Sequence, residues 1–229
     1  MRAPPGTHAL HPGTLAPLPG PVAALIGLAA LTVMAIPFLW PLVAQFDTMA
    51  HEGAHAIVAS TVGFTDLGVT LDRDSDGMTT YWGFATGPRR VLTSFAGYLG
   101  PSAFGLFAAK LIETGHVIAV LWVAIILLVL LLFLIRKSFG IFSVPAAITL
   151  VAVVMHDGHA GFEEVIAYAM AWLLLLAGLR TAVAHGATAG DAFTLAAITP
   201  LSRRLWSLLW IAGALMAVVV GGKWLIMRS

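Results

Sequence analysis

Long apolar runs are the feature that most restricts how this 229-residue chain can fold. A helix needs about 20 apolar residues to cross a bilayer, and its backbone polar groups must be satisfied within the span. Only 10% of the residues are charged, whereas soluble domains carry about a quarter. The pattern predicts an all-α polytopic membrane protein of about six to seven transmembrane helices. The candidate spans lie near residues 22–40, 43–62, 91–111, 117–135, 139–155, 163–180 and 205–226.

The start of the chain divides into a polar tail and a first span. Residues 1–20 are rich in Pro and Gly and are predicted to be a disordered cytoplasmic tail. The following run is long for a signal-peptide core and has no convincing cleavage site, so a retained span is favoured. Pro37 and Pro41 should bend or break the chain between the first two spans. Residues 21–229 are then expected to form one integral-membrane domain.

Lys and Arg residues predict the orientation, because cytoplasmic loops carry an excess of them. With seven spans, nine of these residues fall on the side of the N-terminus and three on the other. The N-terminus is therefore expected in the cytoplasm and the C-terminus outside. The nine are Arg2, Arg73, Arg89, Arg90, Arg136, Lys137, Arg180, Arg203 and Arg204, and the three are Lys110, Lys223 and Arg228.

The sequence His51-Glu52-Gly53-Ala54-His55 lies inside the second apolar run. Two histidines four apart share one face of a helix and can bind one Zn²⁺, and the intervening glutamate can act as a general base. The chain has no cysteine, so a metal must be held by His, Asp or Glu. A net charge of +1 without long charged runs gives no reason to expect nucleic acid as a partner.

The acidic residues support a site at this motif. Nearly all of them lie in loops, and only Asp47 and Glu52 fall inside a predicted span. An ionisable group in a span usually faces a cavity, a partner or an ion path. Asp47, one helical turn before His51, has two interpretations: it accepts a hydrogen bond from that ligand, or it caps a helix that starts after Pro41.

A catalytic zinc site needs a third protein ligand and leaves a fourth position open. The predicted topology places His116, His156 and His159 outside, whereas the segment from His185 to Asp191 is cytoplasmic, where the second span ends. The candidates are Asp191, His185, His116 and the group His156, Asp157 and His159.

The apolar rhythm breaks at residues 64–86, where two alternating segments flank Asp74-Ser75-Asp76-Gly77. This pattern predicts a small β-hairpin. The acidic turn starts like a calcium loop, but Gly83 occupies the position that needs a bidentate glutamate. The hairpin is either a simple turn or carries a strand edge that pairs with an unwound substrate.

The chain resembles the site-2 protease family of intramembrane zinc metalloproteases, in particular its short bacterial members. The resemblance rests on HEGAH, on Ala96 to Pro101 and on Gly190 to Thr199. It implies that His51, His55 and Asp191 bind Zn²⁺ and that Glu52 is the general base. Better-studied members have Asp-Gly at the late ligand, where this chain has Asp191-Ala192, and an asparagine-containing motif where this chain has residues 97–102.

Within that segment, Gly97, Gly100 and Pro101 either pack helices closely around a local break or help to position the substrate. The predicted function is hydrolysis of a peptide bond in or near a transmembrane segment of a membrane-protein substrate. The alternative is an inactive membrane protein with a structural or carrier metal site. The expected location is the bacterial cytoplasmic membrane, with the substrate and the lipid bilayer as partners. Nothing in the sequence specifies an oligomeric state.

Overall fold

The computed structural model describes residues 18–83, 86–157, 160–188 and 190–227. Most of the predicted tail, residues 1–20, therefore lies outside the described residues. The helices are α1 (Gly20–Ala35), α2 (Trp40–Thr61), α3 (Pro88–Glu113), α4 (Val117–Leu134), α5 (Gly140–Asp157), α6 (Ala160–His185), α7 (Gly190–Ile198) and α8 (Arg203–Ile226). The strands are β1 (Thr65–Leu71), β2 (Gly77–Trp82) and β3 (Ile135–Ser138).

The predicted break near Pro37 and Pro41 is confirmed, because α1 and α2 meet at an angle of 105°. Pro41 lies in the first turn of α2, where its missing N–H removes no helical hydrogen bond. The side chain of Arg180 donates a hydrogen bond to the carbonyl oxygen of Met34 at the end of α1, and its guanidinium lies 3.8 Å from the ring centroid of Trp40. This arginine thus satisfies a backbone carbonyl that the break exposes.

Four described helices, α3, α4, α6 and α8, are long and apolar enough to cross a membrane, and the bent α1–α2 pair raises the count to five. The predicted six to seven spans are not confirmed. The helix α1 has only 16 residues, and α2 carries polar side chains that include Gln45, Asp47 and Glu52. Neither helix alone is therefore long and apolar enough to cross a membrane, whereas the two together are. The helix α5 is a shorter apolar helix.

Glycines allow α3 and α6 to pack closely at the centre of the bundle. A Cβ at Gly105 would lie 2.7 Å from the backbone nitrogen of Leu175, and one at Gly178 would lie 2.5 Å from Ser102 Oγ. Small residues favour such close approach in membranes because they bring backbones into contact. The helix α3 also continues through Pro101, so the predicted local break at that residue is wrong.

The described ends of the helical bundle lie together. Gly20 at the start of α1 packs against the carbonyl group of Ile226 at the end of α8. The sequence predicts that the two termini lie on opposite sides of the membrane, because the runs at residues 22–40 and 43–62 count as separate crossings. The contact shows that α1 starts and α8 ends at the same end of the bundle, while the predicted orientation of the termini stays a prediction.

The predicted hairpin is confirmed: β1 and β2 pair in antiparallel fashion around the turn that contains Ser75 at φ 63°. The sequence analysis missed β3, which pairs in parallel with β1 and gives the strand order β2-β1-β3. Four residues at the end of an apolar run give no periodic signal of a strand. In the described sheet β2 is an edge strand, and this strand lies against α2.

Candidate metal centre

The helix α2 presents its ionisable residues to the protein interior. Glu52 and His55 are 4% and 7% exposed, and the rings of His51 and His55 lie with centroids 4.8 Å apart. Residues four apart in a helix lie one above the other on the same face. The geometry of α2 alone therefore places the two imidazoles next to each other.

Asp191 completes a triangle of ligand atoms with these histidines. Its Oδ2 atom lies 3.1 Å from His51 Nε2 and 3.1 Å from His55 Nε2, and the two nitrogens are also 3.1 Å apart. In the described part of the chain, this is the one group of at least three His, Asp or Glu side chains placed to share a metal. The structure thus brings together the three residues that the sequence analysis favoured.

The dimensions of this triangle suit zinc. Bonds of about 2.0–2.1 Å in tetrahedral geometry separate ligand atoms by about 3.3 Å, close to the 3.1 Å measured. Two imidazole nitrogens and a carboxylate oxygen are also ligand types that zinc binds. Three protein ligands also leave the fourth position open, as in catalytic zinc sites.

The helix α3 orients the ligands from the opposite side. His55 Nδ1 lies 2.7 Å from the carbonyl oxygen of Thr93; if it donates to that oxygen, Nε2 is left with its lone pair towards the centre. A Cβ on Gly97 would lie 2.5 Å from His51 Nε2 and closer still to His55 Nε2. Gly97 thus leaves the space that the two imidazoles occupy, while Gly100 allows contact with Ala54 of α2.

Asp191 lies in the first turn of α7, outside the candidate membrane spans. The helix is held by buried Ala192 and Leu195, which pack with Trp206 and Trp210 of α8. Burial by itself raises the pKa of the Asp191 carboxyl, but hydrogen bonds and charge from His51 and His55 together hold that pKa below its ordinary value. Asp191 is therefore a carboxylate, the form that binds a metal.

The hairpin covers Glu52. Thr79 Oγ1 of β2 donates a hydrogen bond of 2.5 Å to Glu52 Oε2, and Gly77 approaches the same side chain. The turn is tied to α2, since Thr48 Oγ1 donates to the carbonyl oxygen of Ser75. Between the hairpin, α2, α3 and α7 lies a cavity of about 680 Å³ that His51, His55, Glu52 and Asp191 line.

Asp47 is buried inside α2, so the interpretation that it caps a helix start is wrong. Its Oδ2 accepts a hydrogen bond of 2.7 Å from Thr181 Oγ1 of α6, whereas Oδ1 has no partner among the described residues. No hydrogen bond joins it to His51 within the same residues. Asp47 lines the cavity, and it links α2 to α6.

The remaining candidate ligands are not part of the triangle. His185 lines the cavity but does not belong to the three-residue group. His116 immediately precedes α4, and His156 lies in the last turn of α5. The side chain of Asp157 and the whole of His159 lie outside the described residues.

Sequence reasoning missed several side chains that line the cavity. Tyr98 packs edge-on against His51 at a centroid distance of 4.8 Å and stacks on Trp210 at 4.5 Å. Thr79, Tyr81 and Arg90 also line the cavity. The alternation in β2, where Thr79 and Tyr81 are two residues apart, was the available signal, because such residues share one face of a strand.

Comparison with known proteins identifies a family for most of the chain. No curated protein and no solved structure matches the chain. A family model described as Peptidase M50B-like matches residues 24–221, a range that includes all three members of the triangle and Glu52. This family comprises the site-2 proteases, which are metallopeptidases of membranes. The chain therefore belongs to the Peptidase M50B-like, or site-2 protease, family.

Proposed function

We propose that this protein is an intramembrane zinc metallopeptidase that hydrolyses a peptide bond in or near a transmembrane segment of a membrane-protein substrate. The observation that carries the proposal is the convergence of His51, His55 and Asp191 at 3.1 Å, with Glu52 facing the same cavity. A structural zinc would need a fourth protein ligand, and the described group has three members. The geometry therefore favours hydrolysis over the structural alternative.

In this proposal His51, His55 and Asp191 hold the zinc. When bound, the ion supplies Lewis-acid chemistry that lowers the pKa of water and polarises a carbonyl group. Glu52 accepts the proton of the attacking water and passes it to the leaving amine nitrogen when the C–N bond breaks. The hydrogen bond from Thr79 holds the Glu52 carboxylate in place.

The edge strand β2 offers a means of holding the substrate. A peptide bond inside a helix must be unwound before hydrolysis, and an exposed strand edge can pair with the extended backbone. In the described sheet β2 pairs with β1 along one edge, and no strand pairs with its other edge. Its residue Thr79 contacts Glu52. We infer that substrate pairs with β2 and thereby brings its scissile bond to the metal centre.

We also propose six membrane crossings: the bent α1–α2 unit, α3, α4, α5, α6 and α8, within one domain over residues 21–229. The 18 residues of α5 rise about 27 Å, close to the thickness of a hydrocarbon core. An even number of crossings agrees with the contact between Gly20 and Ile226.

This arrangement assigns eight of the twelve Lys and Arg residues to the end of the bundle that carries the metal centre. The excess of positive charge predicts that this end faces the cytoplasm. Under this topology the active site is cytoplasmic and both described ends of the bundle are external. The proposed location is the cytoplasmic membrane of a bacterium.

The proposed function is tested with purified protein in liposomes that contain a transmembrane peptide substrate. The wild type should bind about one zinc ion per chain and cleave the peptide. Glu52→Gln has nearly the same shape but cannot accept a proton, so it should retain zinc and lose cleavage. Glu113→Gln is the control, because Glu113 is the last residue of α3 and lies away from the metal centre. This variant should retain both zinc and cleavage. Unchanged turnover in Glu52→Gln would exclude this mechanism.

A further inference from the structure

Tyr81 and Arg90 line the cavity and form a hydrogen-bonded pair that has no role in the proposed mechanism. Tyr81 lies two residues after Thr79 in β2, so both side chains extend from the same face of the strand. Arg90 lies in the first turn of α3. Its Nη1 donates a hydrogen bond to the hydroxyl oxygen of Tyr81, and its guanidinium carbon lies 4.8 Å from the centroid of that ring.

Arg90 has an unusual setting. Among the described residues that line the cavity it is the one Arg or Lys, whereas five are carboxylic acids. No ion pair joins it to any of those acids in the described part of the chain, and its hydrogen bond goes to a neutral hydroxyl instead. An arginine so placed polarises the phenol, because its charge favours electron density on the oxygen.

Tyr81 lines the cavity, and its hydrogen bond with Arg90 does not use its own hydroxyl proton. A tyrosine hydroxyl has one hydrogen to donate and lone pairs that accept. Its oxygen accepts a hydrogen bond from Arg90. Burial is the largest influence on the pKa of Tyr81 and raises it above the ordinary value, against the opposing effect of Arg90. The hydroxyl therefore keeps its proton at neutral pH.

Tyr81 and the metal centre border one cavity. Ser94 precedes Gly97 by three residues in α3, a rise of about 4.5 Å. Gly97 in turn abuts the ligand nitrogens of His51 and His55, and both Ser94 and Tyr81 line the same cavity. Tyr81 thus lines the same cavity as the three residues of the triangle and Glu52.

We propose that Tyr81 is a catalytic residue whose hydroxyl donates a hydrogen bond to the carbonyl oxygen of the scissile peptide as that oxygen gains negative charge, and that Arg90 positions and polarises this hydroxyl. The inference rests on the proposed function. The oxygen of water bonds to the carbonyl carbon, Glu52 takes the water's proton, and the carbonyl electrons move to the oxygen. Tyr81 stabilises that charge without giving up its proton. When the C–N bond breaks, Glu52 delivers the proton to nitrogen and the carboxyl product forms.

The test is Tyr81→Phe, which removes the hydroxyl and keeps the ring that contacts Phe64 and Arg90. Loss of one such donor lowers kcat by about 100-fold or more, and we expect this loss with little change in KM and with zinc retained. Tyr168→Phe is the matched control, because Tyr168 is buried in the helical core away from the cavity. Unchanged kcat in Tyr81→Phe, or a loss confined to KM, would overturn the inference.

Binding of a phosphinic transmembrane peptide gives a second readout that needs no turnover. The tetrahedral, negatively charged group of this peptide imitates the oxygen that Tyr81 is proposed to stabilise. Calorimetry should show binding to Tyr81→Phe weakened by about 100-fold, with binding to Tyr168→Phe unchanged. Equal affinity in Tyr81→Phe and the wild type would contradict the assigned role.

Arg90→Gln provides an independent variant. Because Arg90 is proposed to act through Tyr81, the double variant should be no slower than Tyr81→Phe alone. Additive losses would refute that coupling. If Glu52→Gln is inactive while Tyr81→Phe cleaves at the wild-type rate, only this inference fails; if Glu52→Gln remains active, the proposed function fails with it.

Discussion

Replacement of Gly97 by alanine should destroy the metal centre by the addition of one methyl group. The new Cβ would lie 2.5 Å from His51 Nε2, whereas ordinary contacts begin at 3.4 Å. Relief of this overlap requires a shift of about 0.9 Å in an imidazole or in α3. Zinc bond lengths tolerate only about 0.2 Å. The required shift is thus several times larger than a zinc site accepts.

The neighbouring structure limits how far the ligands can move aside. His55 is held by the 2.7 Å contact between Nδ1 and the carbonyl oxygen of Thr93, and His51 packs edge-on against Tyr98. The two helices also touch at Gly100 and Ala54, so neither can shift freely. Because changes that merely disturb ligand orientation cost 10- to 100-fold in affinity, we expect a loss of at least about 100-fold, or about 2.7 kcal/mol.

Zinc content and affinity provide the assay, measured by mass spectrometry after equilibration in buffers of fixed free zinc. Gly161→Ala is the control, since no heavy atom lies within 4 Å of a Cβ at that helical position. It should bind zinc like the wild type and gain about 1 kcal/mol of helix stability. A Gly97→Ala protein that binds one zinc ion at wild-type affinity would refute the assignment of these imidazoles as ligands.

Three further predictions concern the same centre. Asp191→Ala should lower zinc content and activity together, because it removes one corner of the triangle, while His156→Ala should change neither; the reverse result would assign the third ligand to the other end of the bundle. Thr79→Val should lower kcat by about 10- to 150-fold, since a hydrogen bond to a charged group contributes about 1.5–3 kcal/mol, and Thr79→Ser should restore it with zinc content constant throughout; equal kcat in all three proteins would exclude the role of Thr79. Removal of zinc by a chelator should lower the unfolding temperature, because zinc at 100 times its Kd stabilises the fold by about 2.7 kcal/mol, and cleavage should return only when zinc is added back.

Local sequence patterns predicted the elements whose signals lie within a few residues of one another. The spacing of His51 and His55 required only the helical repeat. Pro37 and Pro41 predicted the break, and the alternation around Asp74 to Gly77 predicted the hairpin. These features depend on backbone geometry and on turn chemistry, which neighbouring residues determine.

The features that local patterns left undecided depend on distant parts of the chain. The number of membrane crossings depends on the angle between α1 and α2, and the 105° bend is stabilised by Arg180 of α6. The strand β3 exists because residues 135–138 pair with β1, almost seventy residues earlier. The supposed break at Pro101 does not occur, because α3 continues through this residue.

The sequence by itself determined that the chain is a mostly helical membrane protein with two histidines that share one helix face beside a glutamate. Only the tertiary structure decided that Asp191 meets those histidines, that Gly97 has no space for a side chain, and that Thr79 and Tyr81 face the cavity. The physical reason is the range of the interactions. Helical periodicity acts over four residues, whereas the third corner of the triangle comes from packing that joins residues about 140 positions apart.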